Sequence, residues 1–283
     1  MLNQNLSQKA TERSLFMRKA VILTWVVFVF TMVIGLAGTF FNDLYRDNEF
    51  IKAVWKGNDI VTFAIASPLM IITMLKGSHD PVKHIRSFLL WMGSLWYMIY
   101  NYIFYIYGAA FNVFFLGYVV IITCSAIALL HGLIAIGKRV DDIFPDRKLQ
   151  ASFSGISLFL YFFAFFLGGA WIAMSSAFLF TGEVPAAITQ TGHPTGVVFA
   201  TDLIFLITPL VVLGYYLREK QRWAILLTPI VMVKCCLYPI VFVIAGILAY
   251  IKTGAYDVLT PAYLLLGAGA ALVLRKLFRI IKI

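Results

Sequence analysis

Charge is what this sequence has least of. Asp, Glu, Lys and Arg make up 13% of its 283 residues, about half the share usual in a soluble domain. A soluble fold with a charged surface is excluded on that ground. Cysteine is also scarce. Cys124, Cys235 and Cys236 all lie in apolar stretches, so no external disulfide framework is implied, and the adjacent pair lacks the C-x-x-C spacing of a redox site. Absent too are H-E-x-x-H, G-x-S-x-G, a phosphate-binding glycine loop and any Cys/His cluster. An intramembrane enzyme therefore ranks last among the function classes. No catalytic residue, metal or cofactor is assigned. His79 and His84 stand five apart beside Asp80, a pattern read as a solvated turn.

What is abundant is apolar: 61% of the residues are hydrophobic and 16% aromatic. Eight apolar segments run near 20–41, 60–75, 87–108, 113–136, 153–180, 197–217, 224–250 and 259–274. Most reach the ~20 residues that a ~30 Å hydrocarbon core requires. The first is too long for the apolar core of a signal peptide and no small-residue cleavage site follows it. The reading is an all-α integral membrane protein with eight transmembrane helices, forming a single transmembrane domain over 1–283. Residues 1–19 form an N-terminal arm and 275–283 a basic tail.

Basic residues set the orientation. Eighteen of the 23 Lys and Arg fall in the N-terminal arm, the even-numbered loops and the tail, while Arg46, Lys52, Lys56 and Lys252 lie on the other side. That asymmetry puts both termini in the cytoplasm. The net charge of +10 then reflects orientation and anionic lipid headgroups rather than nucleic acid. In the outer loop 42–59, Phe50, Ile51, Val54 and Trp55 share one helical face, which predicts an interfacial amphipathic helix anchored by Trp55. The outer loop "TGEVPAAITQTGHPTG" reads as irregular.

Lys234 sits in "TPIVMVKCCLYPI", about 16 Å above the inner end of its segment. A central lysine costs about 2.5–3.5 kcal/mol on insertion scales, so a lipid-facing, unpaired one is not expected. Asp202, on the preceding segment of a tight hairpin, is the first candidate to answer it, and Asp59 the second. Pro68, Pro209 and Pro239 each withhold a backbone donor inside a helix. The third segment, "WYMIYNYIFYIYGAAFN", puts Tyr97, Asn101 and Tyr105 on one face, with Tyr100, Phe104 and Tyr107 in a neighbouring stripe. The proposed ligand-binding set is Asp59, Asn101, Asp202 and Lys234, walled by Tyr97, Tyr105 and Tyr238. Asn112 is expected to tie a turn together, and His131 to make a helix–helix hydrogen bond. A retinal Schiff base at Lys234 is disfavoured: position 230 is Ile, the third segment has no Asp, and the N-terminus faces the cytoplasm.

Segments two and six, "NDIVTFAIASPLM" and "TDLIFLITPLVV", each run from an outer Asp to Ser/Thr-Pro-Leu. A parallel 4+4 duplication would explain this. These motifs, with "YNYIFYIYGAAFNVFFLGYV", resemble a family of uncharacterised bacterial polytopic membrane proteins. The resemblance covers the chain from about residue 55 onward. It implies a multi-pass protein of the bacterial cytoplasmic membrane, and no activity to carry over.

The function reading is a transporter-like or small-ligand-binding protein with an outward-opening pocket around the buried Lys–Asp group. Its partners are the lipid bilayer and a small molecule or ion. The alternative is a membrane sensor or accessory subunit whose buried charges serve packing alone. The orientation is testable by thiol labelling of single cysteines in intact cells. Asn48→Cys and Gln190→Cys should react with an impermeant reagent, and His79→Cys and Lys220→Cys should not; the reverse pattern contradicts a cytoplasmic N-terminus with eight crossings.

Overall fold

The computed structural model describes the backbone of residues 2–137, 139–145, 150–253 and 260–281, and the side chains of these except residues 2–13, 42, 252 and 253. Lys9, Arg13, Lys138, Arg147, Lys148, Lys252 and Lys282, which carry part of the orientation argument, lie outside the described side chains. Among the described residues the secondary structure is helical, with no strand.

Six helices or joined helices are long and apolar enough to cross a membrane. The first is α1 (Leu2–Phe40), of which Ser14–Phe40 forms the candidate span. The second joins α2 (Glu49–Val61) to α3 (Ser67–Gly77) through a π-helical turn, Thr62–Ala66. Then come α5 (Phe115–Gly137) and α7 (Ser154–Thr181), with the one-turn α6 (Val140–Ile143) between them. Beyond the single turn α8 (Ala186–Thr189), α9 (Val197–Asp202) joins α10 (Thr208–Arg218) through a second π turn, Leu203–Ile207. The sixth is α11 (Arg222–Thr253), which carries Pro229 and Pro239 inside it. Large apolar side chains on these helices, such as Val33, Leu130 and Phe165, face outward. Length, composition and this apolar exterior make the chain a membrane protein.

Two further helices, α4 (Ile85–Tyr107) and α12 (Thr260–Ile281), have the length to cross but fall outside those six. In α4 the cause is its content of Tyr, Trp and Asn, and its surroundings explain how it bears them. It packs against α3, α5, α9 and α11, and Trp91, Tyr97, Tyr100, Asn101, Tyr102 and Tyr105 are all buried. A helix sheathed by other helices need not be apolar toward lipid. Gly93 lets α11 approach it closely, since a Cβ there would stand 2.6 Å from Val233. The other main packings are α1 on α5, α7 on α10, and α11 on α2 and α12.

The segments that carry Pro68 and Pro209 solve the missing backbone donor in one way. The π turn ends just before Ser67-Pro68 in one and Thr208-Pro209 in the other. The Ser67 N–H reaches back to the Thr62 carbonyl and the Thr208 N–H to that of Leu203. The wider turn accommodates the proline ring without an abrupt break. These features recur at a constant spacing. Helices α3 and α10 are 11 residues each and start 141 residues apart, at 67 and 208. The ends of α1 and α7, Phe40 and Thr181, have the same spacing. In that register Asp59 stands opposite Ala200 and Asp202 opposite Val61, so the two acids are not equivalent.

The interfacial reading of residues 42–59 needs correction. Asn48 caps α2 by accepting the Ile51 N–H at 3.0 Å, but the helix continues through the π turn into α3. Trp55 is not an interfacial anchor: it is buried against Tyr45 and Tyr105. The loop 182–196 is irregular apart from α8, and the Asn48 amide donates to the Gln190 carbonyl within it at 3.0 Å. On the opposite side, Asp80 accepts from the Lys83 and Val82 N–H groups at 3.1 and 3.2 Å. Those bonds, that from Lys83 foremost, hold its carboxyl below the ordinary carboxylate range.

Candidate functional site

The π turns position two acids. Asp202 is the last residue of α9, directly before its π turn, and Asp59 lies three residues before the other. Both are buried. Turns of this kind often mark functional positions, because the widened helix re-aims side chains and carbonyls.

The Asp202 carboxylate accepts the Trp171 indole N–H at 2.9 Å on Oδ2 and the Tyr100 hydroxyl on Oδ1. Tyr100 turns the face of the same ring to Lys234. Lys234 Nζ lies 3.5 Å from the Tyr100 centroid and 4.7 Å from that of Tyr238. The two rings meet edge to face at 5.0 Å. An ammonium in that cleft is held by two negative ring faces, an arrangement worth about 2 kcal/mol when desolvated. The hydroxyl that donates to Asp202 belongs to the same ring, so Tyr100 links cation and carboxylate through one side chain.

The expectation that Asp202 answers Lys234 directly is corrected. Among the described residues Lys234 forms no ion pair with Asp202 or Asp59, although Asp202 remains within electrostatic reach of it. The two instead share Tyr100, whose hydroxyl meets Asp202 and whose ring face meets Lys234.

Asp59 belongs to a separate group. Its Oδ2 accepts the Tyr45 hydroxyl at 2.7 Å and its Oδ1 the Tyr105 hydroxyl at 2.8 Å. Gly38 of α1 leaves room for it, since a Cβ there would overlap the carboxylate. Between the two acids, Thr62 Oγ1 is 3.3 Å from the Tyr97 hydroxyl and accepts from the Asn101 amide at 3.4 Å. Tyr97 meets Tyr238 ring to ring at 6.4 Å, and these two residues are again 141 apart. Asn58 Oδ1 and Asn101 Oδ1 are buried with no hydrogen-bond partner among the described residues, while the Asn58 side-chain N–H group lies toward the Tyr238 hydroxyl.

The seven sequence-derived residues therefore fall into two groups. Asp202, Lys234 and Tyr238 gather around Tyr100; Asp59 and Tyr105 gather around Tyr45; Asn101 and Tyr97 lie between them. Tyr100, Trp171, Tyr45, Thr62 and Asn58 were missed. Tyr100 had a legible signal, since it is one residue from Asn101 on the tyrosine-rich helix. Trp171 and Tyr45 had none, because their partners lie 31 and 14 residues away. None of the seven lines the groove of about 340 Å³ bounded by Ile103, Tyr107, Val197, Thr201, Ile204 and Phe205. Thr201 adjoins Asp202 in sequence, so the groove comes within one residue of the site while the site itself is closed.

Asn112 ties its turn as expected, accepting the Phe114 N–H at 3.0 Å and donating to the Ala110 carbonyl at 3.2 Å. His131 does not make the expected hydrogen bond. Its ring packs on Phe16 at 5.4 Å and Nδ1 has no partner. Among the described residues no group of three or more His, Cys, Asp or Glu is arranged to hold a metal.

Fold and site together define a helical membrane protein with a closed, tyrosine-lined polar centre. Comparison with protein-family models, with curated proteins and with solved structures finds no match to the chain.

The role of Tyr100 is separable by substitution. Tyr100→Phe removes the donor to Asp202 and keeps the ring, and should cost about 1–3 kcal/mol, read as a lower melting temperature in detergent. Tyr100→Leu also removes the ring face and should cost clearly more. Equal losses would mean that the ring contact with Lys234 contributes nothing.

Proposed function

We propose that this is a multi-pass protein of the bacterial cytoplasmic membrane that binds, and carries across, a small molecule or ion at the centre around Lys234 and Asp202. In this reading α4 and α12 complete a set of eight crossings, with both termini in the cytoplasm. The two halves are a parallel 4+4 duplication. The 141-residue spacing of the π turns, of α3 and α10, of the ends of α1 and α7, and of Tyr97 and Tyr238 supports the duplication.

One observation carries the functional reading. A buried lysine and a buried aspartate are joined through a single tyrosine, beside amides with unused hydrogen-bonding capacity. Lys234 is 3% exposed and Asp202 5%, and the Oδ1 atoms of Asn58 and Asn101 have no hydrogen-bond partner among the described residues. Ionisable groups at such depth are costly and are retained for pathways and ligands. Satisfied structural networks do not leave buried amides open. Lys234 suits an anionic group on the ligand, with Asn58 and Asn101 supplying donors and acceptors and Tyr97 and Tyr238 the walls. Asp59 and Tyr105 form the second pole. Access runs from the outer groove past Thr201, once α9 moves from the outer end of α4.

A second reading, a sensor or accessory subunit, draws on the closure of the centre. There Lys234, Tyr100 and Asp202 would only fix how α4, α9 and α11 pack.

A thermal-shift screen of small metabolites on the purified protein and on Lys234→Met separates the two. The transport reading expects a compound, anionic at neutral pH, that raises the melting temperature of the wild type and not of the variant. Stabilisation that is equal in both, or found in neither, supports the packing role instead.

A further inference from the structure

Asp59 differs from Asp202 in what holds it. It is fully buried in the joined helix α2–α3, and among the described residues it forms no ion pair. Its partners are two hydroxyls, Tyr45 at 2.7 Å and Tyr105 at 2.8 Å. A hydroxyl, unlike an ammonium or an indole N–H, both donates and accepts. Tyr105 has a further acceptor within reach, since its hydroxyl oxygen also lies 3.2 Å from the Trp55 carbonyl oxygen.

The same heavy atoms therefore satisfy two protonation states. With Asp59 ionised, both hydroxyls donate to it. With a proton on Oδ1, Asp59 donates to the Tyr105 oxygen, the Tyr105 hydroxyl turns to the Trp55 carbonyl, and Tyr45 still donates to Oδ2. No buried group loses its partner in either state, so the desolvation penalty that makes an orphaned polar group costly is avoided. Asp202 lacks the second acceptor: among the described residues the Tyr100 hydroxyl reaches Asp202 alone, so a proton on Oδ1 would leave that hydroxyl's own proton without a partner.

The surroundings are hydroxyl-rich. From α4, Tyr97, Tyr102 and Tyr105 face the carboxylate, Tyr118 does so from α5 and Tyr45 from the segment before α2. Of the charged groups on its own helix, Glu49, Lys52 and Lys56, the half-buried Lys56 acts on it, one turn away. From α1 comes Gly38, and α11 turns its charged group, Lys234, to Tyr100. Tyr105 packs on Tyr118 at 5.1 Å, and the Tyr118 hydroxyl donates to Asn112 at 3.1 Å. Hydroxyl-bearing side chains thus lead from Asp59 to the turn that joins α4 and α5.

We propose that Asp59 is an exchangeable proton-binding site, separate from the Lys234 centre, switched between two preformed hydrogen-bond patterns by the rotation of the Tyr105 hydroxyl. This deepens the transport reading, on which its role as coupling site rests, by naming H⁺ as the coupled ion.

Infrared difference spectroscopy of the full-length protein in lipid nanodiscs, across a pH series, tests it without any added ligand. The wild type should show the C=O stretch of a protonated carboxylic acid that is lost as pH rises. The band should vanish in Asp59→Asn, persist in Asp202→Asn and shift in Tyr105→Phe. Tyr105→Phe keeps the ring, so it decides the matter should Asp59→Asn fail to fold. A wild type with no such band, a band unchanged at every pH, or one unaffected by the Asp59 and Tyr105 substitutions overturns the proposal. A failed ligand screen beside a titrating Asp59 band would count against the Lys234 site alone.

Discussion

The central constraint is that one tyrosine serves two charges. The Tyr100 hydroxyl donates to Asp202, and its ring face lies 3.5 Å from the Lys234 nitrogen. A lysine in hydrocarbon needs an answer to its charge. A direct carboxylate would be the simplest, but bare buried ion pairs seldom recover the cost of desolvating both partners. Here the cost is spread. The ammonium meets two aromatic faces, and the carboxylate meets a hydroxyl and an indole N–H.

Much of the architecture follows from putting Tyr100 there. Helix α4 must run through the middle of the bundle, covered by α3, α5, α9 and α11, so its tyrosines meet protein rather than lipid. Gly93 brings α11 close enough for Lys234 to reach the ring. The π turn after Asp202 absorbs Pro209 at the depth where the carboxylate must be aimed inward. The matching turn near Asp59 does the same around Pro68, but two residues out of register, and so delivers a different chemistry. One acid meets a hydroxyl and an indole N–H, with a lysine nearby; the other meets two hydroxyls, one of which has a second acceptor.

The helical class, the membrane-length segments and Asp59, Asp202, Asn101 and Lys234 as buried polar groups were legible in the sequence, because charge and amide groups in apolar runs stand out against their neighbours. The recurrence of Ser/Thr-Pro-Leu was legible as well. That motif recurs 141 residues apart, at 67 and 208, a spacing that leaves the two Asp residues two out of register and that the helix bounds and π turns share. Trp55 misled because an amphipathic face at a segment's end looks alike whether lipid or protein covers it. Tyr100 falls in the stripe with Phe104 and Tyr107, where the pattern does not single it out. Nothing in local spacing says that it would touch both Lys234 and Asp202; that depends on how α4, α9 and α11 meet.

The claim that Lys234 and Asp202 depend on one another, although no ion pair joins them, is tested most directly by a double-mutant cycle on thermal unfolding in detergent. The account predicts that Asp202→Asn lowers the melting temperature and that adding Lys234→Met restores part of the loss, giving a coupling of about 0.5–3 kcal/mol. Strictly additive effects would mean that the lysine and the aspartate are independent, and would contradict the account.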